Sequence, residues 1–146
     1  MSLKKRNFKK RALSRKNVPA RPIAPSGSPP KTIAVDFDGV IAEYDGWKGP
    51  GILGLPRNDV VEALRTLHAE GWKIIIHTTR GKAEISGYLA QHQIPHHEVN
   101  RNSNYRTLGV KPVADVYWDD RAFRYSGDAC QDLVEIRRFR TWSGRD

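Results

Sequence analysis

The chain has 146 residues, a net charge of +9, 38% hydrophobic residues and one cysteine. That length holds one packed domain with or without a tail, and no stretch approaches the ~20 consecutive apolar residues of a membrane span. No apolar block follows the basic N-terminus, so no secretory signal is expected, and a lone Cys130 forms no internal disulfide, which suits a reducing, cytoplasmic compartment.

The charge sits at one end. Residues 1–31 carry ten of the 25 Lys and Arg and none of the 16 Asp and Glu, which leaves 15 basic against 16 acidic residues in the body. This arm lacks apolar periodicity, and its second half, "PARPIAPSGSPP", reads as a Pro/Ser/Gly linker, so residues 1–31 are expected to be disordered. Their composition fits either a non-specific contact with nucleic acid or another polyanion, or a solubilising extension. The folded domain is expected over residues 32–146.

From residue 32, apolar runs alternate with helical patterns. "TIAVDF" is short, β-branched and apolar, like a buried parallel strand. Residues 57–71 follow as a helix, with Val60, Ala63, Leu64 and Leu67 on one face, Asn58 or Asp59 as the cap and Gly71 as the stop. "WKIIIHTT" is the second strand, and residues 82–93 the second helix, weakened by Gly87. "HHEVN" and "ADVYWDD" read as two further strands, and residues 128–139 as a last helix, capped by Asp128 and turning Leu133 and Ile136 inward. Cys130 reads as a small buried hydrophobe. Right-handed crossovers between such elements give a parallel sheet, hence an α/β, three-layer α/β/α Rossmann-like fold.

Ligands bind such sheets at the carboxyl ends of the strands. The first strand ends in Asp36 and Asp38, the second in Thr78, Thr79 and Arg80, and the last in Asp119 and Asp120, with Lys111 on the loop before it. Two carboxylates one residue apart repel unless a positive charge lies between them. Asp36, Asp38 and Asp119 offer the oxygen ligands that Mg²⁺ favours. Thr78 and Lys111, with the backbone N–H groups after the first strand (at Phe37 and Gly39), can hold phosphate oxygens, with Thr79 and Arg80 beside them. The choice between Thr78 and Thr79 stays open from the residues alone. His77 reads as a core or supporting residue, and His92, His96 and His97 lack the cysteine partners of a zinc site.

The run Asp36-Phe37-Asp38-Gly39-Val40, then Thr78, then Lys111-Pro112, then Trp118-Asp119-Asp120 resembles, in order, the four motifs of the haloacid dehalogenase (HAD) superfamily. The likeness spans residues 32–121 and is nearest to small capless members. It implies a Mg²⁺-dependent phosphomonoester hydrolase with Asp36 as nucleophile and Asp38 as general acid and base. The metal would be held by Asp36, the Asp38 carbonyl and Asp119, with Asp120 in support. Thr78 and Lys111 would hold the phosphoryl oxygens. The spacing of Thr78 from Arg80 follows the family pattern and favours Thr78 for that role. The segment "VIAEYDGWKGPG" fits the family's turn and hairpin flap, and the gaps at 40–56 and 101–110 are too short for a large cap domain. An open site could admit a bulky phosphorylated substrate such as a phosphorylated nucleic acid end, or be covered by a partner subunit, and a small phosphorylated substrate is the other expectation. The competing reading is a catalytically inactive HAD-like binding protein whose basic arm contacts nucleic acid. A P-loop is excluded by the missing GxxxxGK[ST] motif.

Overall fold

A computed structural model describes residues 29–143. The basic arm expected at residues 1–31 lies outside them except for its last three residues. Four parallel strands form one sheet in the order β3-β2-β1-β4: β1 (Thr32–Asp36), β2 (Lys73–His77), β3 (Glu98–Val99) and β4 (Val116–Trp118). Three helices connect or follow them: α1 (Asn58–Ala69), α2 (Lys82–Gln91) and α3 (Ala129–Arg138). The fold is α/β and Rossmann-like, as the alternation of apolar runs and helical patterns predicts. No helix among the described residues is long and apolar enough to cross a membrane.

The centre of the sheet follows directly from its sequence. β1 and β2 pair over five residues, from Thr32 with Lys73 to Asp36 with His77. Side chains alternate between faces, so Ile33, Val35, Ile74 and Ile76 share one face and Ala34 and Ile75 the other. All six are buried. The first face receives Val60 and Leu64 of α1 and Ile85 and Leu89 of α2, and these form one continuous core with Phe37 and Ile41. On the second face lies the segment 100–115. Asn102, Ser103 and Asn104 reach the buried Lys73 Nζ at 3.0, 3.3 and 3.2 Å, and Glu98 completes its shell at 2.6 Å. A buried ammonium is tolerated here because every one of its donors finds an oxygen.

Several local expectations are revised. Residue 57, not 58 or 59, precedes the first turn of α1, and no side chain caps it; Asp59 instead pairs with Arg57 at 3.0 Å. Asp128 does cap α3, accepting from the N–H groups of Cys130 and Gln131 at 2.9 and 3.2 Å. Leu133 and Ile136, expected to face inward, are 48% and 52% exposed, and Cys130 is exposed too. No described element covers the apolar stripe of α3, and the helix buries Asp132 instead. Gly87 leaves α2 unbroken, because Ile85, Tyr88 and Leu89 anchor the helix on either side of it.

The excursion after β1 is short and tightly pinned. Ile41 and Ala42 both donate to the Phe37 carbonyl, and Glu43 N–H meets Leu55 O at 2.9 Å as the chain returns. Tyr88 Oη donates to Gly54 O at 2.9 Å, and Gly51 N–H donates to Glu84 Oε1 at 2.7 Å. At Gly54 a Cβ would stand 1.8 Å from the Glu43 carbonyl oxygen, so only glycine allows the two arms of the flap to approach. No cap domain occurs in this flap or in segment 100–115 among the described residues.

Candidate metal and phosphoryl site

The strand ends converge as the order of elements implies. Asp36, Asp119 and Asp120 each present a carboxylate oxygen within 4.8 Å of the others. Pairing sets this up: Val35 lies opposite Trp118, so the chains leave the sheet side by side. The cluster lines a cavity of about 280 Å³ together with Asp38, Tyr44, Thr78, Thr79 and Arg121.

The electrostatics are those of an unbalanced acidic site. Burial, then the charge of Asp119, pushes Asp36 up to about 7; the Phe37 N–H opposes this, and Asp120 and Asp38 add to it. Burial also raises Asp120, against the pull of Arg121. Asp120 Oδ1 is buried with no hydrogen-bond partner. Convergent oxygens, an orphaned carboxylate oxygen and a repulsion that Arg121 offsets only in part together fit a divalent cation with oxygen ligands.

Gly39 shows how closely the pieces fit. Its φ of 88° belongs to the left-handed region, and a Cβ there would stand 2.4 Å from Asp120 Oδ2. Its carbonyl accepts from Trp142 Nε1 at 2.8 Å, and Arg57 stacks on that indole at 4.2 Å. The turn after β1 is thus held from three directions.

Asp38 stands apart from the other three carboxylates. Its Oδ2 accepts from Arg80 Nε at 2.7 Å, while Oδ1 is buried without a partner. Arg80 is itself buried, and the bond to Asp38 raises it above its ordinary range. It lies over the ring of Trp47 at 4.9 Å and 3.7 Å from Glu84, whose other contact is the Gly51 N–H of the flap. One guanidinium therefore ties Asp38 to the flap and to α2. Arg80 is a support for Asp38 in this arrangement and not an open phosphate contact.

Other expected phosphate contacts are placed differently. The Phe37 N–H donates to Asp36 Oδ1 at 2.8 Å and the Gly39 N–H to Ala42 O at 2.9 Å, so both donors are engaged within the protein. Lys111 is exposed on segment 100–115, with Nζ 4.3 Å from the ring centre of Tyr117, and it lines a neighbouring groove rather than the acidic cavity. Thr78 is buried, its Oγ1 accepting from Arg80 N at 3.1 Å, which leaves its hydroxyl proton to give; Thr79 is exposed beside it.

Two residues were not legible as site components. Asn100 clamps Thr78, accepting from its N–H at 2.8 Å and donating to its carbonyl at 2.7 Å. Its φ of 54° is a conformation asparagine tolerates better than most residues, and an Asn closing a strand pattern was the available signal. Arg121 brings a guanidinium to the acidic cavity, and its N–H fixes Asp119 Oδ1 at 2.7 Å. The histidines have local partners: His97 Nδ1 accepts from Ile74 N at 2.9 Å, and His96 Nδ1 lies 3.0 Å from Ile94 O.

No family model matches the chain. No curated protein matches it in sequence either. Among solved structures, the chain is similar to a conserved protein from Bacteroides thetaiotaomicron, 23% identical, with a TM-score of 0.53 over 80% of this chain and 97% of that one. It also resembles a crystal structure from Vibrio cholerae at 29% identity and a TM-score of 0.43, covering 74% and 94%. The first likeness shows a shared α/β fold.

Proposed function

We propose that this chain is a Mg²⁺-dependent phosphomonoester hydrolase of the HAD type, working through a phosphoaspartyl intermediate on Asp36. The observation that carries the reading is the meeting of Asp36, Asp119 and Asp120 within 4.8 Å, from strand ends more than 80 residues apart in sequence. Asp36, Asp119 and Asp120 would hold the cation, which when bound offsets the negative charge of nucleophile and phosphoryl group.

The protein groups supply the remaining chemistry. An Asp36 oxygen attacks phosphorus, and the bond from phosphorus to the leaving oxygen breaks. Asp38 gives its proton to that oxygen, with Arg80 fixing the carboxyl group through Oδ2. In the second half a water attacks phosphorus and its proton returns to Asp38. The Asp36–phosphorus bond breaks, and inorganic phosphate leaves. The Thr78 hydroxyl donates to a phosphoryl oxygen, held in place by the Asn100 clamp. Lys111 joins this set only if segment 100–115 draws inward over the substrate. The single cysteine suits the cytoplasm as the place of action.

Hydrolysis of p-nitrophenyl phosphate with Mg²⁺ tests the proposal. Asp36→Asn and Asp38→Asn should each lower kcat by roughly a thousandfold, as removal of a reacting group does. Full activity in either variant refutes the role given to that residue. Absence of turnover in the wild type across a broad panel of phosphate esters refutes the enzyme.

A further inference from the structure

A second cavity adjoins the acidic one. It measures about 1050 Å³, and His77, Thr78 and Thr79 line both, so the two share one wall at the end of β2. Segment 100–112 forms the rest of it. A single phosphoryl group needs far less room; a groove of this size accommodates a ligand on the scale of a nucleotide.

Its chemistry is opposite to that of its neighbour. Arg101, Arg106 and Lys111 line it, and no aspartate or glutamate does. Among the described residues none of these three cations takes part in an ion pair. Tyr105 also lines the groove with its side chain partly exposed, and Leu108 and Val110 are exposed beside it. Unpaired guanidinium groups near an aromatic ring match phosphate oxygens joined to a planar base. The body of the protein is near neutral overall, so this local excess of positive charge is a property of the segment and not of the composition.

We infer that the groove holds the leaving-group portion of the substrate, and that this portion carries at least one further phosphate attached to a nucleoside. The inference rests on the phosphohydrolase reading and specifies its substrate. A monoester seated at Asp36 passes Thr78 and Thr79 and lays its second phosphate between Arg101 and Arg106. That chemistry occurs in a nucleoside bisphosphate and in the phosphorylated end of an oligonucleotide.

Steady-state kinetics with Mg²⁺ separates the possibilities, using p-nitrophenyl phosphate, adenosine 5′-monophosphate, adenosine 3′,5′-bisphosphate, and tetranucleotides bearing a 5′- or 3′-phosphate. The expected result is a kcat/KM at least roughly tenfold higher for the bisphosphate or a tetranucleotide than for the monophosphate, the size of one charge-assisted contact. Arg106→Ala should remove most of that preference while hydrolysis of p-nitrophenyl phosphate stays unchanged. A gain with the bisphosphate alone identifies a small-molecule substrate, and a gain with a tetranucleotide identifies a nucleic acid end. Equal kcat/KM for mono- and polyphosphorylated substrates overturns the inference and leaves the hydrolase standing. So does an Arg106→Ala loss shared equally by p-nitrophenyl phosphate. No turnover of any substrate overturns the hydrolase, and this assignment of the groove with it.

Discussion

The two sides of β1 are built differently. Toward β2 the pairing runs over five residues, and both faces are buried. Toward β4 it runs over three, and Val116 and Tyr117 remain partly exposed at the edge of the sheet. The acidic site straddles this seam. Asp36, Asp38 and Thr78 hang from the well-packed half, and Asp119 and Asp120 from the lightly supported one. Under the proposed function, the nucleophile sits on the well-packed half, and two of the proposed cation ligands sit beyond the shorter pairing with β4. A cation held as proposed by Asp36, Asp119 and Asp120 would join the two halves.

The largest test of this contrast is stability. Leu64→Ala, in the fully buried half, should cost about 2–5 kcal/mol by denaturant titration, while Ile136→Ala on α3 should cost less than about 0.5 kcal/mol. A similar cost at both positions means that α3 has a partner outside the described residues, and the contrast fails. Gly39→Ala comes next. It forces a left-handed backbone onto a Cβ and drives that Cβ into Asp120, so a loss of about 1–3 kcal/mol is expected together with weaker cation binding. Unchanged cation affinity would mean that Asp120 moves aside freely and takes little part in the site.

A third test sharpens the electrostatic picture. Asp36 ordinarily titrates near 3.8 and stands at about 7 in the folded protein. The folded state therefore favours the protonated group. Its contribution to stability is complete below about 4 and lost as pH rises through about 7. In EDTA, Tm should therefore fall between pH 5 and pH 8, as the unfolded chain ionises Asp36 and the folded protein resists it. Glu98 titrates outside this window: burial raises it, but hydrogen bonds from Lys73 and Ser103 prevail and hold it at about 2. Mg²⁺ should raise Tm more at pH 8 than at pH 5, because ligands bind the cation deprotonated. Equal increments at both pH values would count against Asp36 as a ligand.

The strands of the interior were legible because burial on both faces produces a β-branched apolar run too short for a helix. The convergence of Asp36 with Asp119 and Asp120 followed from chain order and the handedness of crossovers. What escaped depended on neighbours remote in sequence. α3 is amphipathic, but an apolar stripe does not say what it meets, and Leu133 and Ile136 meet solvent. The N–H groups of Phe37 and Gly39 read as free in the sequence because the acceptors that take them are set by the turn itself. Lys111 has the right place in the order of motifs, yet thirteen residues of segment 100–112 decide where its side chain goes. Arg80 reads as a ligand contact from its position after β2, and its burial against Asp38 and Trp47 makes it a brace.

The bond from Trp142 to the Gly39 carbonyl gives the protein an optical handle on this turn. An indole emits at a wavelength that depends on whether its N–H is engaged and on nearby charge. Any event that displaces Gly39 therefore changes that emission, and the cation capture and phosphoryl transfer proposed above would be sought there. With Trp47, Trp72 and Trp118 replaced by phenylalanine, a fluorimeter alone could follow loading of the site as it happens.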